Sequence, residues 1–291
     1  MHPIKDYVKS HVKTQIIPVI SKGKVIFGSP ATNVWRTKLE IVPVTRIRQS
    51  NGKPVKSFQD LVSCVAEIGF NNQRFNLLFR GQRKDYRDKK YQSVLYPTLC
   101  RPDARKRFIR TTVIKERYRK LNQLRDFLLQ MHPEVMPLEL SRHPESSFAL
   151  LQHYGILPTP LIDLTQSLRV AATFALRNSR SGYVFVFGMP HPHGSISHYI
   201  DLDMVLVKLQ NVCPPDALRP HYQEGFLAGR LPFLPKKEAG DNLARRMIGK
   251  YYLDNSKGNF WSKDFQPIPE KALFPTKDPF KRRLGKILKI S

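Results

Sequence analysis

The chain has 291 residues, enough to bury a substantial core, and its hydrophobic content of 41% and charged content of 25% are ordinary for a globular protein. No apolar run approaches the roughly 20 residues that a membrane-spanning helix needs. Lysines interrupt the first apolar segment, which argues against a secretion signal, so we expect a cytoplasmic protein. The three cysteines lack the spacing of a zinc site and argue against a disulfide framework.

Positive charge is the strongest signal in the composition. Forty-nine Lys and Arg residues against 23 Asp and Glu give a net charge of +26. The excess is concentrated between Arg74 and Arg125, where the sequence has 17 basic and four acidic residues. Such a surface attracts polyanions through counterion release, so we expect nucleic acid or another polyanion as a partner. A basic surface that only keeps the protein soluble is the alternative.

The first predicted elements follow from composition and helical spacing. Residues 1–56 mix short apolar runs with Gly, Pro and basic residues, which predicts an N-terminal extension that is partly strand. Ser57 is a typical N-cap, and the apolar residues after it keep helical spacing as far as Gly69. A short strand is predicted at Phe75–Phe79, ending in Arg80 and the two residues after it.

The rest of the chain predicts one α+β domain at residues 57–288. A long amphipathic helix is predicted at Ile109–Met131, with Met131 on its apolar stripe. Because the order of elements is mixed and no repeat is visible, we expect a central, mostly antiparallel sheet flanked by helices. The other predicted elements are a helix at Phe148–Tyr154, a strand at Leu161–Leu164, a helix from Ser167 to about Asn178, strands at Gly182–Gly188 and Asp203–Leu209, and a helix in the tail Lys281–Lys289.

Several motifs of known chemistry are missing from the sequence. It has no glycine-rich phosphate loop, no GxSxG turn and no HExxH pair. His191, His193 and His198 lie close together in the sequence. Prolines flank the first two, however, and no carboxylate or cysteine follows at metal-ligand spacing. We therefore predict a solvated loop at these histidines and no metal site.

One dense stretch places polar residues among apolar ones. Gln152 and His153 end a predicted helix, and Asp163 and Thr165 alternate with apolar residues at a strand end. A buried polar group without a hydrogen bond costs about 1–3 kcal/mol, so these groups either satisfy one another or bind a ligand. The structural alternatives are an ion pair between Arg80 and Asp163, N-capping by Asp163 or Thr165, and a carbonyl bond for His153.

The same stretch carries a family resemblance. The residues Phe79-Arg80-Gly81-Gln82 match the signature of the FRG domain, and LLQHYGILPTPLIDLTQSLRVAATFA resembles the second signature of that family. HYQEGFLAG and ALFPTKD resemble its later motifs, so the likeness extends over about residues 57–288. Pro160 and Leu164 depart from the common pattern. Gly81 and Gly155 are expected to serve backbone geometry.

The order of these motifs is also similar to that of ADP-ribosyltransferases. By this resemblance, Arg80 would hold a phosphate or ribose of NAD, and Glu224 or Gln223 would lie beside the ribose 2′-hydroxyl. Gln223 fits the family turn better, but an amide is a poor substitute for a carboxylate at that position. The resemblance implies as catalytic candidates Arg80, Thr165, Glu224 and His153, and as ligand-binding candidates Gln82, Gln152, Asp163 and Gln223.

Three functions agree with these observations. The first is an NAD-consuming transferase or glycohydrolase that acts on a nucleic-acid or acidic partner, as a toxin or phage-defence protein would. The second is a polyanion-binding module, for which we expect salt-sensitive nucleic-acid binding. The third is a nucleotide sensor that binds its ligand without turnover. NAD is the expected substrate of the first, and none of the three requires a metal.

Overall fold

A computed structural model describes residues 41–102, 109–136, 140, 142–230 and 242–289, together with three short strands before residue 41. Residues 1–18 of the predicted N-terminal extension lie outside the described residues. Within the described ranges, no helix combines the length and apolar character that crossing a membrane requires.

The strands and helices follow the chain in mixed order. The strands are β1 (Val19–Ser21), β2 (Lys24–Ile26), β3 (Asn33–Trp35), β4 (Ile41–Pro43), β5 (Lys53–Val55), β6 (Asn76–Gln82), β7 (Leu161–Thr165), β8 (Ser181–Met189), β9 (Ile196–Tyr199), β10 (Met204–Lys208), β11 (Gly225–Arg230) and β12 (Met247–Asp254). The α-helices are α1 (Val44–Gln49), α2 (Phe58–Asn71), α3 (Thr111–Met131), α4 (Pro144–His153), α5 (Leu168–Leu176), α6 (Leu209–Val212), α7 (Leu218–Tyr222), α8 (Glu270–Leu273) and α9 (Pro279–Leu288).

A single eight-stranded sheet organises the protein. Its strand order is β5-β12-β8-β6-β7-β11-β10-β9, and every neighbouring pair is antiparallel except β5 with β12. The predicted α+β class with a mostly antiparallel sheet is therefore confirmed. Strand β5 comes from the predicted N-terminal extension, yet it forms one edge of this sheet and buries Val55 in the main core.

Both faces of the sheet are buried. Because successive residues of a strand point to opposite faces, Phe79 packs with helices α2 and α5, whereas Leu78 faces the other side. On the Phe79 side, α3, α4 and α9 form a second cluster that includes Leu161 of β7. Thr165 lies opposite Phe79 and belongs to the same face of the sheet, and helices cover this face.

Helix α5 buries three alanines and approaches the sheet closely. A Cβ atom on Gly81 would lie 1.8 Å from the carbonyl oxygen of Ala171, and one on Gly182 would lie 2.2 Å from that of Ala175. Only glycine fits at these two strand positions. Gly155 follows α4 with φ +69°, a conformation that favours glycine. The predicted backbone roles of Gly81 and Gly155 are confirmed.

Helix α3 differs in one detail from its predicted apolar stripe. Met131 is 63% exposed, whereas Leu128 and Leu129 are buried. Val135 and Met136 follow the helix and pack in the same cluster as these two leucines. They cover the last turn from that side, so Met131 faces solvent and its predicted core position is wrong.

Candidate ligand-binding groove

The sheet has a seam between β6 and β7. Strand β6 pairs with β8 along its whole length, from Asn76 to Gln82, but it pairs with β7 only where Phe79 lies opposite Thr165. Past this point the two strands separate. A side chain then takes the place of backbone pairing, since Arg80 Nη1 donates to the carbonyl oxygen of Asp163 at 2.5 Å.

The guanidinium of Arg80 is held in one orientation at this seam. Its Nε donates to Gln82 Oε1 at 2.8 Å, and its Nη1 is occupied by the Asp163 carbonyl. Within the described residues, Nη2 has no protein partner. Burial lowers the pKa of Arg80 and the charge of Asp163 opposes that shift, but a guanidinium stays protonated in either case. Arg80 is therefore a cation of fixed orientation whose Nη2 can donate a hydrogen bond to a ligand.

The carboxylate of Asp163 lies on the helical side of the seam. Gln152 Nε2 donates to its Oδ2 at 2.8 Å, and His153 Nδ1 lies 3.5 Å from its Oδ1. Burial raises the pKa of Asp163, but the contacts with His153, Arg80 and Gln152 outweigh it, so the pKa is lower than usual. The side chain remains 38% exposed. The alternative of an ion pair with Arg80 takes a different form, because Arg80 binds the carbonyl rather than the carboxylate.

Two threonines fix the orientation of Gln152. Its Oε1 accepts from Thr159 Oγ1 at 2.6 Å and from Thr98 Oγ1 at 3.2 Å, which leaves Nε2 to face Asp163. The Nε2 atom of His153 is buried and has no partner among the described residues. Sequence reasoning missed both threonines. The available signal was the position of Thr159 between two prolines, while Thr98 gave none.

Thr165 and Gln223 hold the backbone together beside the seam. The Thr165 hydroxyl donates to the carbonyl oxygen of Gln223 at 2.7 Å and accepts from the Ser167 amide at 3.0 Å. The Gln223 side chain is buried and donates to the Leu273 carbonyl at 2.7 Å. Glu224 is exposed on a turn with φ +47°. Ser167, whose hydroxyl accepts from Val170, caps α5. The ligand roles of these candidates stay predictions.

An open groove of about 2190 Å³ begins at the end of β6. Among the described residues, its lining includes eight basic residues and two acidic ones, and it does not include His153, Thr165 or Glu224. Sequence reasoning identified only Arg80 and Gln82 of this set as site residues. The basic residues are Arg80, Arg83, Lys84, Arg87, Lys89, Lys90, Arg101 and Arg177, and the acidic residues are Asp85 and Asp88.

A buried lysine anchors one wall of the groove, the basic loop (residues 83–94). Lys250 of β12 is fully buried, with its Nζ 2.6 Å from Asp85 Oδ2 and 2.8 Å from Ser93 Oγ. Arg87 Nε also donates to Asp85 Oδ2, at 2.7 Å. Burial lowers the pKa of Lys250, and the bond to Asp85 opposes the shift. The only sequence signal for this anchor was a lysine within an apolar segment.

The charges on the outside of the basic loop face solvent. Arg83, Lys84 and Lys90 are exposed, and in the described part of the chain no acidic side chain pairs with any of them. Tyr86 lies between them in sequence and is 61% exposed. The loop therefore presents three cations without acidic partners and one exposed aromatic ring. The buried contacts of Asp85 hold the loop in place.

The histidine segment follows its prediction at His191 and His193, which are exposed loop residues, but not at His198. His198 lies on strand β9 rather than in a solvated loop, and its Nε2 is 2.8 Å from Oε1 of Glu145, a buried residue of α4. His143 lies 3.9 Å from the same oxygen. Glu145 is 53 positions away from His198 in the chain, so the contact could not be read from local spacing. Within the described residues, no cluster of three or more His, Cys, Asp or Glu side chains is arranged to hold a metal.

Comparison with known proteins finds one family match, which covers about a third of the chain. Residues 75–183 match the family model of the FRG domain. This segment contains Arg80, the seam, the basic loop and the Asp163 cluster, but it ends before Gln223, Glu224 and the C-terminal motif. No curated protein and no solved structure matches the chain.

Proposed function

We propose that this chain, whose residues 75–183 match the family model of the FRG domain, is a nucleic-acid-binding protein whose ligand occupies the groove at the end of β6. The composition of the groove lining is the observation that carries this proposal. Eight basic residues against two acids create a local positive potential. Releasing counterions from a phosphate backbone then gives a favourable free energy of binding.

The two acidic residues of the lining differ in their contacts. Asp85 is paired with Lys250 and Arg87, and Asp88 accepts hydrogen bonds from the backbone of Lys90 and Gln92. Asp85 is therefore taken up by its ion pairs, whereas the exposed Asp88 keeps a charge of its own within the basic loop. Eight cations against this one exposed carboxylate leave the lining of the groove strongly positive.

The size of the groove bears on the class of ligand. Small-molecule sites are usually about 300–1,000 Å³, and this groove is about 2190 Å³. A chain of nucleotides uses such a volume better than one nucleotide does. Arg80 would then contact a phosphate through Nη2, because Gln82 and the Asp163 carbonyl already hold its other nitrogens.

The test is the affinity for labelled oligonucleotides, measured by fluorescence anisotropy across a series of salt concentrations. We expect the logarithm of the binding constant to fall linearly with the logarithm of salt concentration. Arg80→Ala should weaken binding about tenfold, the range of one charged hydrogen bond lost. Arg282→Ala is the matched control, because Arg282 is exposed on α9 outside the groove and the charge change is the same. No salt-dependent binding, or equal losses in both variants, would contradict the proposal.

A second candidate function is cleavage of NAD at the bond between ribose and nicotinamide. The observation that favours it is a row across three adjacent strands in which Phe79 lies opposite Thr165 and Thr165 opposite Gly225. Arg80 and Glu224 are the chain neighbours of the two ends of this row, which keeps the residue order of the ADP-ribosyltransferase resemblance.

Release of nicotinamide by the purified protein, with and without nucleic acid, tests this second candidate. Turnover that is lost in both Arg80→Ala and Glu224→Gln would support it. Stabilisation by NAD without product would favour nucleotide sensing instead. No turnover and no stabilisation would exclude NAD as the ligand and leave the nucleic-acid proposal intact.

A further inference from the structure

The floor of the groove combines aromatic and charged residues in two rows across the sheet. In the first row, Tyr252 of β12 lies opposite Tyr183 of β8, which lies opposite Gln82 of β6. Two residues further along, Phe185 of β8 lies between Lys250 and Arg80. Because residues two apart on a strand share a face, Tyr183 and Phe185 point to the same side.

The two tyrosines form an aromatic platform. The rings of Tyr183 and Tyr252 have their centroids 5.3 Å apart and their planes tilted by 59°, and Phe185 stacks on Tyr183 at 6.0 Å with an interplanar angle of 13°. Phe185 is buried, whereas both tyrosines are half-buried and line the groove. The platform thus has a fixed lower side and an accessible upper side.

We infer that the groove binds single-stranded nucleic acid, with bases stacked on Tyr183 and Tyr252 and phosphates held by Arg83, Lys84 and Lys90. This inference rests on the proposed function, and it names the strand state of the ligand. Base–aromatic stacking needs a base whose flat face is free, which a single strand offers and a duplex does not.

The shape of the site leads to the same conclusion. A duplex is read by a helix or β-ribbon that projects into its major groove. Here the tyrosines lie at the bottom of a concavity, and the cations of the basic loop form its wall. A flexible strand can follow such a wall with its phosphates while its bases turn towards the floor.

The first experiment compares three ligands on the unmodified protein at one salt concentration. They are a DNA strand of about 15 nucleotides, the RNA strand of the same sequence, and the DNA duplex, and their affinities are measured by fluorescence anisotropy. We expect both single strands to bind at least about tenfold more tightly than the duplex. The DNA and RNA measurements show which sugar the groove accepts. Equal or tighter duplex binding would overturn the inference and leave the proposed function standing, whereas no binding of any ligand would remove both.

A variant series tests the platform itself. Tyr252→Leu should weaken single-strand binding about tenfold and leave the salt slope unchanged, because it removes stacking and no phosphate contact. Tyr252→Phe keeps the ring and should bind as the unmodified protein does. Tyr91→Leu is the control, since Tyr91 belongs to the basic loop, is 75% exposed and does not line the groove.

The salt slope distinguishes the two kinds of contact. Lys90→Gln should reduce the slope by about 0.7, which corresponds to one phosphate contact on a single strand. A Tyr252→Leu variant that is folded by circular dichroism and binds single strands normally would overturn the stacking inference. Should that variant fail to fold, the comparison of strand and duplex on the unmodified protein still decides the question.

Discussion

Two aspartates, Asp85 just after β6 and Asp163 in the middle of β7, differ in their burial and in their partners. Asp85 has a side chain only 5% exposed, and it is bound by Lys250 and Arg87. Asp163 is 38% exposed, and it is held by the amide of Gln152 and, more distantly, by His153. Asp85 lines the groove, whereas Asp163 contacts Arg80 through its backbone carbonyl.

The difference indicates that the Asp85 region stabilises the basic loop, whereas the Asp163 region stays accessible to a ligand. A buried ion pair tolerates no missing partner, because an unpaired charge in the interior is costly. Asp85 is therefore committed to fixing the basic loop. A carboxylate that is 38% exposed keeps part of its hydration, so Asp163 can respond to pH or to a ligand at a lower cost in free energy.

The largest effect is the difference in stability expected between two single variants that carry the same substitution, one at Asp85 and one at Asp163. Asp85→Asn leaves the charge of Lys250 buried and unpaired and should lower the free energy of unfolding by about 3–5 kcal/mol. Asp163→Asn should lower it by only about 1 kcal/mol, since this side chain is 38% exposed and keeps part of its hydration. Urea denaturation of the two variants measures the difference.

A double variant checks the cause of the larger loss. Asp85→Asn combined with Lys250→Met removes both charges and should recover part of the stability that Asp85→Asn loses alone. If the two single variants lose the same amount, or the double variant is the least stable, the contrast between the aspartates is wrong.

The pH dependence of stability tests whether the carboxylate charge of Asp163 stabilises the fold. Its pKa is lower in the folded state than the ordinary value of 3.8, so its contacts stabilise the protein fully above that pH. That contribution is lost as the pH falls through the folded pKa. The stability gap between the unmodified protein and Asp163→Asn should therefore shrink below about pH 4.

Thermal unfolding of both proteins at about pH 5, 4 and 3 measures this gap, with the ordinary carboxyl pKa as the reference point. A gap that stays constant over the whole range would mean that the carboxylate charge of Asp163 does not stabilise the fold. Asp60→Asn, on the exposed start of α2, is the control for a surface carboxylate.

The sequence predicted what depends on near neighbours. Ser57 and Ser167 cap the helices they were expected to cap, because an N-cap bonds to an amide three residues ahead. Arg80 was identified as a site residue because it belongs to a short motif at a strand end.

What the sequence did not predict depends on residues far apart in the chain. Strands β9, β11 and β12 were missed, and the order of strands in the sheet has no local signature. Lys250 meets Asp85, and His198 meets Glu145, only after the sheet has formed. The seam between β6 and β7 could not be predicted either, because each strand looks continuous by itself.

The smallest effect is expected two contacts away from Asp163. Thr159 is buried, donates to Gln152 Oε1 and accepts from the Leu161 amide at 3.3 Å. Thr159→Val keeps the shape but removes these bonds, and Thr98 still binds the same oxygen of Gln152. The free energy of unfolding should fall by about 1 kcal/mol.

Thr112→Val on the exposed surface of α3 is the matched control for Thr159→Val and should be neutral. Oligonucleotide affinity should be unchanged in both variants, because neither threonine lines the groove. A loss in Thr159→Val as large as that of Asp85→Asn would show that the Asp163 region is as tightly committed to the fold as the Asp85 region. A loss of affinity without a loss of stability would instead extend the binding site from the groove through Gln152 to the helical side of the seam.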